Sequence, residues 1–158
     1  MRAFQFSLQA ILTLREEKEQ EAQRAVASAL NLVAMIQSRI AAVVRELDGL
    51  GTEVRGRLGH GVMVRELEQL GNYQTVLSER RLRLEVELAR AEQGVEQART
   101  VLLKATQDRQ ALENYRVRLH RMHDYQQARA EQKMLDDLAG RSTGLGAEWR
   151  TSPGSPAS

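Results

Sequence analysis

His120, His123 and Asp124 stand at i, i+3 and i+4. On a helix that spacing gathers two imidazoles and a carboxylate on one face, where they could share a cation. A structural zinc site takes four ligands, and no fourth stands nearby, so a solvated helix surface is the stronger reading. The glycines Gly49, Gly51, Gly56, Gly59 and Gly61 have neither the lysine nor the hydroxyl of a phosphate-cradling loop, and no strand precedes them. They read as a chain reversal. Arg109, Arg116, Arg118, Arg121, Arg129 and Lys133 make a basic series, but Asp108, Glu113, Asp124 and Glu131 interleave with it. Only 4% of residues are aromatic, so base-stacking side chains are scarce. A mixed, partner-facing surface fits better than a nucleic-acid site. No carboxylate pair, nucleophile–base pair or pocket-forming core is visible. The expectation is a chain without catalysis, metal or cofactor.

The elements that must carry these residues are helices. The chain has 158 residues, and both prolines, Pro153 and Pro156, lie at its very end. A long proline-free run keeps every backbone donor and removes no helical hydrogen bond. Stepping by alternate fours and threes from Met63 to Leu119 lands on apolar residues everywhere except Gln74, Arg81, Arg109 and Arg116. A repeat of 3.5 residues held this long specifies a helix that supercoils against a partner. The absence of cysteine excludes disulfides and thiolate metal sites and fits a reducing compartment. The 23 basic and 21 acidic residues give a net charge of +2 and are well mixed, too weak a field to draw in nucleic acid. No uninterrupted apolar run of membrane-spanning length is present, and the start Met1-Arg2-Ala3-Phe4 lacks a secretory pattern. A cytoplasmic, soluble protein is expected.

The fold class predicted is all-α: a long antiparallel two-helix coiled-coil hairpin with unequal arms. Helix one spans about 7–48, with Ser7 as cap and Phe6 stapled to Ile11. The glycine-rich turn covers about 49–61 and helix two about 62–139, closed by Gly140. The hairpin forms one domain over 1–140. Residues 141–158 lose periodicity, gain Gly, Ser and Pro, and read as a disordered tail. A reversal centred near Arg55 pairs Leu47 with Met63, Val33 with Leu77 and Val26 with Leu84, and sets Gln37 against Gln74 as a single polar layer. In that register Phe4 comes near Ala105, leaving about 30 residues of helix two, about 45 Å, without a partner. Leu112, Tyr115, Leu119 and Met122 would form an exposed contact stripe there, with Met134, Leu135 and Leu138 as a second patch.

Three segments resemble the FliJ family of flagellar export proteins. They are Phe4-Gln5-Phe6-Ser7-Leu8 followed by Ile11-Leu12-Thr13-Leu14-Arg15-Glu16-Glu17, then Asn72-Tyr73-Gln74, and then Glu131-Gln132-Lys133-Met134-Leu135-Asp136-Asp137-Leu138-Ala139. Their order and spacing extend the resemblance over about residues 4–140. It implies a non-enzymatic part of the bacterial flagellar type III export apparatus, shaped like the central stalk of rotary ATPases. Implied partners are the hexameric export ATPase, the cytoplasmic domain of the export gate and export chaperones. The implied place is cytoplasmic, peripheral to the inner membrane at the flagellar base through those partners, in the service of flagellum assembly and so of chemotaxis. The resemblance puts Phe4, Phe6, Leu8, Lys133, Met134 and Leu138 against the ATPase, and Tyr73 and Val76 against the gate or a chaperone. Arg80 and Arg83, next on that face, are more polar than the family pattern suggests. Rival readings are a prefoldin-like coiled-coil holdase, which would need β-hairpins that the sequence does not show, and the equivalent stalk of a virulence secretion system.

Overall fold

The structure is a computed structural model that describes residues 3–145. Two helices account for nearly all of them: α1 (Gln9–Leu58, 50 residues) and α2 (Val64–Leu145, 82 residues). They pack on each other as an antiparallel helical hairpin, with no strand among the described residues. Contacts divide the chain into two units: residues 10–109, and the N-terminal segment through Gln9 together with α2 from Gln110 onward.

Within the first unit the α2 seam lies where the heptads put it. Leu77, Leu84, Ala91 and Val95 are buried, and Leu67, Leu70, Leu88, Ala98, Leu102 and Ala105 are partly covered. Met63 stands outside it, 73% exposed in the turn. On α1 the covered positions also step by threes and fours, through Leu12, Ala22, Val26, Ala29, Val33, Ile36, Ile40, Val43, Leu47, Leu50 and Val54. Val43, Leu77 and Leu84 form the centre of the core, flanked by Ile40 and Leu47.

The reversal and the register differ from expectation. Helix α1 does not stop near Leu47 but runs through Gly49, Gly51 and Gly56 to Leu58, and the turn occupies residues 59–63. Three glycines cost roughly 1 kcal/mol each against alanine. Among them Leu50 is 7% exposed and Val54 is partly covered, so the seam continues, and full burial of such side chains returns about 1.5–3 kcal/mol apiece. The seam therefore outweighs the glycines. Among the described residues the only positive φ belongs to Gly61, at 80°, which is where the chain turns. The His60 amide reaches back to the Arg57 carbonyl (3.0 Å), and the Glu66 amide to Met63 (2.9 Å).

In an antiparallel pair, moving the turn by one residue moves each facing partner by two. Tyr73 accordingly reaches Glu46, not the neighbourhood of Gln37, a shift of roughly two and a half helical turns. Val43, not Val33, packs with Leu77. The Gln37–Gln74 layer does not exist: both amides are exposed, and Ile36 occupies the seam. A different polar layer takes over its role. Arg15 pairs with Asp108 (2.9 Å), while Glu19 accepts a hydrogen bond from the Thr106 hydroxyl (2.8 Å) and pairs with the Arg109 guanidinium. The Thr106 bond is the larger reason that the Glu19 carboxyl titrates below its ordinary value; Arg109 adds to it, against a smaller opposing effect of burial.

Two further boundaries move. Helix α1 begins at Gln9, whose amide bonds to the Phe6 carbonyl (3.1 Å), after a turn at Ser7-Leu8, and Ile11 remains exposed. Helix α2 passes Gly140 to Leu145, so the start of the expected tail is helical, and residues 146–158 lie outside the described residues. Over one 18-residue window α1 is also long and apolar enough, by composition alone, to cross a membrane, though no uninterrupted apolar run marks it. Part of that apolarity is the seam itself.

Two measurements test this account. Gly56→Ala adds a Cβ with nothing within 4 Å and should stabilise the chain by about 1 kcal/mol, a rise of roughly 3 °C in melting temperature. Gly61→Ala should lower it by a similar amount, because alanine is strained at that φ. A turn centred near Arg55 would predict no loss at Gly61. The second concerns Glu19. Since the fold favours its ionised form, the stability it adds is present above the ordinary carboxylate range and fades as pH falls through the lowered folded-state value. Glu19→Gln should be less stable than wild type at neutral pH, and the gap between the two melting curves should close on acidification. A gap independent of pH would remove the carboxylate from the account.

Candidate partner-binding surface

The second unit brings the N-terminal segment onto the distal part of α2. The Phe4 ring meets His120 edge-on (centroids 4.8 Å apart, 66° between planes) and tilts against His123 (5.6 Å, 59°). Phe6 lies on Tyr115 (6.3 Å, 59°). Phe4, Phe6 and Leu8 are all half-buried, as alternation along an extended segment allows. Phe4 therefore does not come near Ala105, and α2 is not bare from that point. Leu112 and Leu119 are partly covered, and only Tyr115 (46%) and Met122 (57%) of the expected stripe are well exposed. The heptad seam continues through Leu119 to His123, which is half-buried, so the N-terminal segment caps the seam with aromatic rings.

Of the histidine–carboxylate cluster only His120 is paired at hydrogen-bond distance, and the buried His123 Nδ1 has no hydrogen-bond partner. His120 Nδ1 lies 2.8 Å from Asp124 Oδ2, and His123 Nδ1 is 3.6 Å from Oδ1 of the same carboxylate. Among the described residues no group of three or more His, Cys, Asp or Glu side chains is arranged to hold a metal ion. What sequence reasoning missed is the groove that His120 makes with Phe4 and Phe6, walled by Gln9, Arg116, Val117 and Arg121. The signal was present in the i, i+4 spacing of Arg116 and His120. The register that would have brought Phe4 to them was not.

Every side chain over residues 128–141 is exposed. Lys133, Met134 (66% exposed) and Leu138 (53%) line one shallow face with Ala130, Asp137 and Arg141, and Leu135 (61%) stands beside them. Tyr125, 68% exposed, opens a neighbouring face with Arg129 and Gln132 that sequence reasoning did not single out. The six residues assigned to one contact thus fall in two groups on one helix. Phe4, Phe6 and Leu8 lie over residues 115–123, and Lys133, Met134 and Leu138 follow about 15 Å further along.

Tyr73 and Val76 sit in the other unit on the outside of early α2, 50% and 54% exposed. The Tyr73 hydroxyl donates to Glu46 Oε2 (3.2 Å), and this bond to a carboxylate raises the phenol above its ordinary value. What these surfaces offer is apolar area framed by charge.

A profile of the flagellar FliJ protein family matches residues 4–146. No curated protein sequence matches the chain. Among solved structures, a YscO homolog, CT670 from Chlamydia trachomatis, superposes with a TM-score of 0.52 at 16% identity, covering 92% of this chain and 99% of that one. At that identity the likeness concerns the fold, and it is a fold of the same helical kind. The family match spans nearly all of the hairpin and includes all three segments that carry the resemblance, so the chain belongs to the flagellar FliJ protein family, components of type III protein export.

Proposed function

We propose that the chain is the stalk-like adaptor of its export apparatus, a non-enzymatic part that docks in the ring of the hexameric flagellar export ATPase and promotes its activity. The observation that carries this reading is the apolar face at Met134, Leu135 and Leu138 on distal α2, 53–66% exposed. An exposed apolar stripe on a solvated helix is the form in which a groove or ring interior recognises a helix. Lys133 and Arg141 at its border add charge that steers an acidic partner. Phe4, Phe6 and Leu8 serve the same contact indirectly: they seal the seam up to His123 and so stiffen the helix from which the free face extends.

The second contact is with the cytoplasmic domain of the export gate or with export chaperones, through Tyr73 and Val76. Its support is their exposure and the hydrogen bond from the Tyr73 hydroxyl to Glu46. Tyrosine is among the residue types enriched at the energetic centres of protein interfaces. The chain then works in the cytoplasm, peripheral to the inner membrane at the flagellar base, held there by its partners. A holdase role has no specific observation in its favour.

The test is the hydrolysis rate of the purified export ATPase with added protein. Wild type should stimulate it, and a Met134→Glu, Leu138→Glu double variant should weaken the half-saturating concentration at least about tenfold, since each carboxylate would be buried in an apolar contact. Because both positions are exposed, helicity and melting temperature should not move. Undiminished stimulation would remove this face from the contact. Val76→Asp should leave ATPase stimulation intact and weaken binding to the gate domain by titration calorimetry; the reverse pattern would exchange the two assignments.

A further inference from the structure

One apolar surface belongs to neither contact. Only 11% of the apolar 18-residue window of α1 is buried. Beside the seam runs a second stripe, at Ala27, Leu30, Ala34, Gln37, Ala41 and Val44, again stepping by threes and fours. All six are exposed except Val44, which is half-buried; Leu30 is 44% exposed. Alanine recurs every seventh residue, at 27, 34 and 41, and so lets another helix approach closely.

The order of the stripe identifies the occupant. Turned end for end and laid on itself, it sets Leu30 against Ala41, Val44 against Ala27 and Gln37 against Ala34, each larger side chain on an alanine. Continued to both ends of the helix, the same alignment sets Glu16 against Arg55, both exposed. Arg55 already donates from Nε to the Gly51 carbonyl (3.1 Å), which leaves its terminal nitrogens for a carboxylate. A two-fold interface requires one patch to be complementary to itself in just this way. A lipid surface needs no such pairing and would favour basic residues along the polar border at both ends, where this helix has an acid at one. We infer that the α1 stripe is a homodimer contact, in which two copies of the chain pair antiparallel through their α1 helices about an axis between Ala34 and Gln37. The contact is separate from the export reading and holds or fails without it.

Sedimentation equilibrium on the full chain at rising concentration should give a mass climbing from 17.8 kDa toward twice that value. Ala34→Glu should weaken the association at least about tenfold by burying a carboxylate in an apolar contact. Leu32→Glu, on the opposite flank of the same helix, should leave it unchanged, with circular dichroism showing both variants equally helical. Glu16→Arg and Arg55→Glu should each weaken it, and the two together should restore it. The chain has no cysteine, so cross-linking is unambiguous: Ala34→Cys mixed with Gln37→Cys should oxidise to a covalent dimer faster than either alone. A single-chain mass at every concentration, no advantage for the mixture, or a dimer sensitive to Leu32→Glu and indifferent to Ala34→Glu would each overturn the proposal. So would a chain that stays monomeric and floats with anionic vesicles.

Discussion

The structure depends on one strip of contact. Among the described residues nine apolar side chains are buried, and all of them lie on the facing seams of α1 and α2 in residues 10–109. No second layer supports them, and no charged or polar residue is buried with them. Burial is then one-dimensional: each turn of α1 holds one turn of α2, and a break at any layer is felt by its neighbours alone. This explains why the helices are so long. Isolated helices are marginal, and a single seam stabilises each turn only modestly, so stability must come from repetition. It also explains why the seam runs on through Gly49, Gly51 and Gly56. Ending there would have forfeited Leu50 and Val54 on one arm and exposed their partners on the other.

A repetitive strip has a register problem, because a slip by one heptad still sets apolar on apolar. The polar layer at Arg15, Glu19, Thr106, Asp108 and Arg109 answers it. A slip that set Leu102 where Arg109 stands would leave Glu19 without both the Thr106 hydroxyl and the Arg109 guanidinium. The ion pairs contribute little to stability on their own, since all remain in part solvated. Their effect is to penalise alternatives. The positive φ at Gly61 acts to the same end from the turn, fixing which residue is the pivot.

The periodicity of α2 was fully legible, because its seam residues are large and apolar over many heptads and no competing stripe runs beside them. The periodicity of α1 was not. It carries two apolar stripes side by side, one through Ile36, Val43 and Leu50 and one through Leu30, Ala34, Ala41 and Val44. Position counting cannot say which faces α2. Reading the glycines as the turn then drew the choice to positions that stand off the seam, Gln37 and Val44 among them. A local signal, five glycines in thirteen residues, was allowed to outrank a longer one, the continuation of apolar spacing to Val54. Of the candidate contact residues, Met134, Leu138, Tyr73 and Val76 were legible as exposed, since they stand off the α2 seam. The packing of Phe4 and Phe6 on His120, His123 and Tyr115 was not, because it follows from the register.

A hairpin of this kind leaves nearly every described side chain at least partly in water. The two shifted groups reflect that: Glu19 is moved chiefly by its hydrogen bond from Thr106, and Tyr73 by its bond to Glu46. What such a surface offers is apolar side chains framed by charge: Met134, Leu135 and Leu138 in one unit, and Tyr73 and Val76 in the other, stand half or more in water because each lies off the seam that α1 covers.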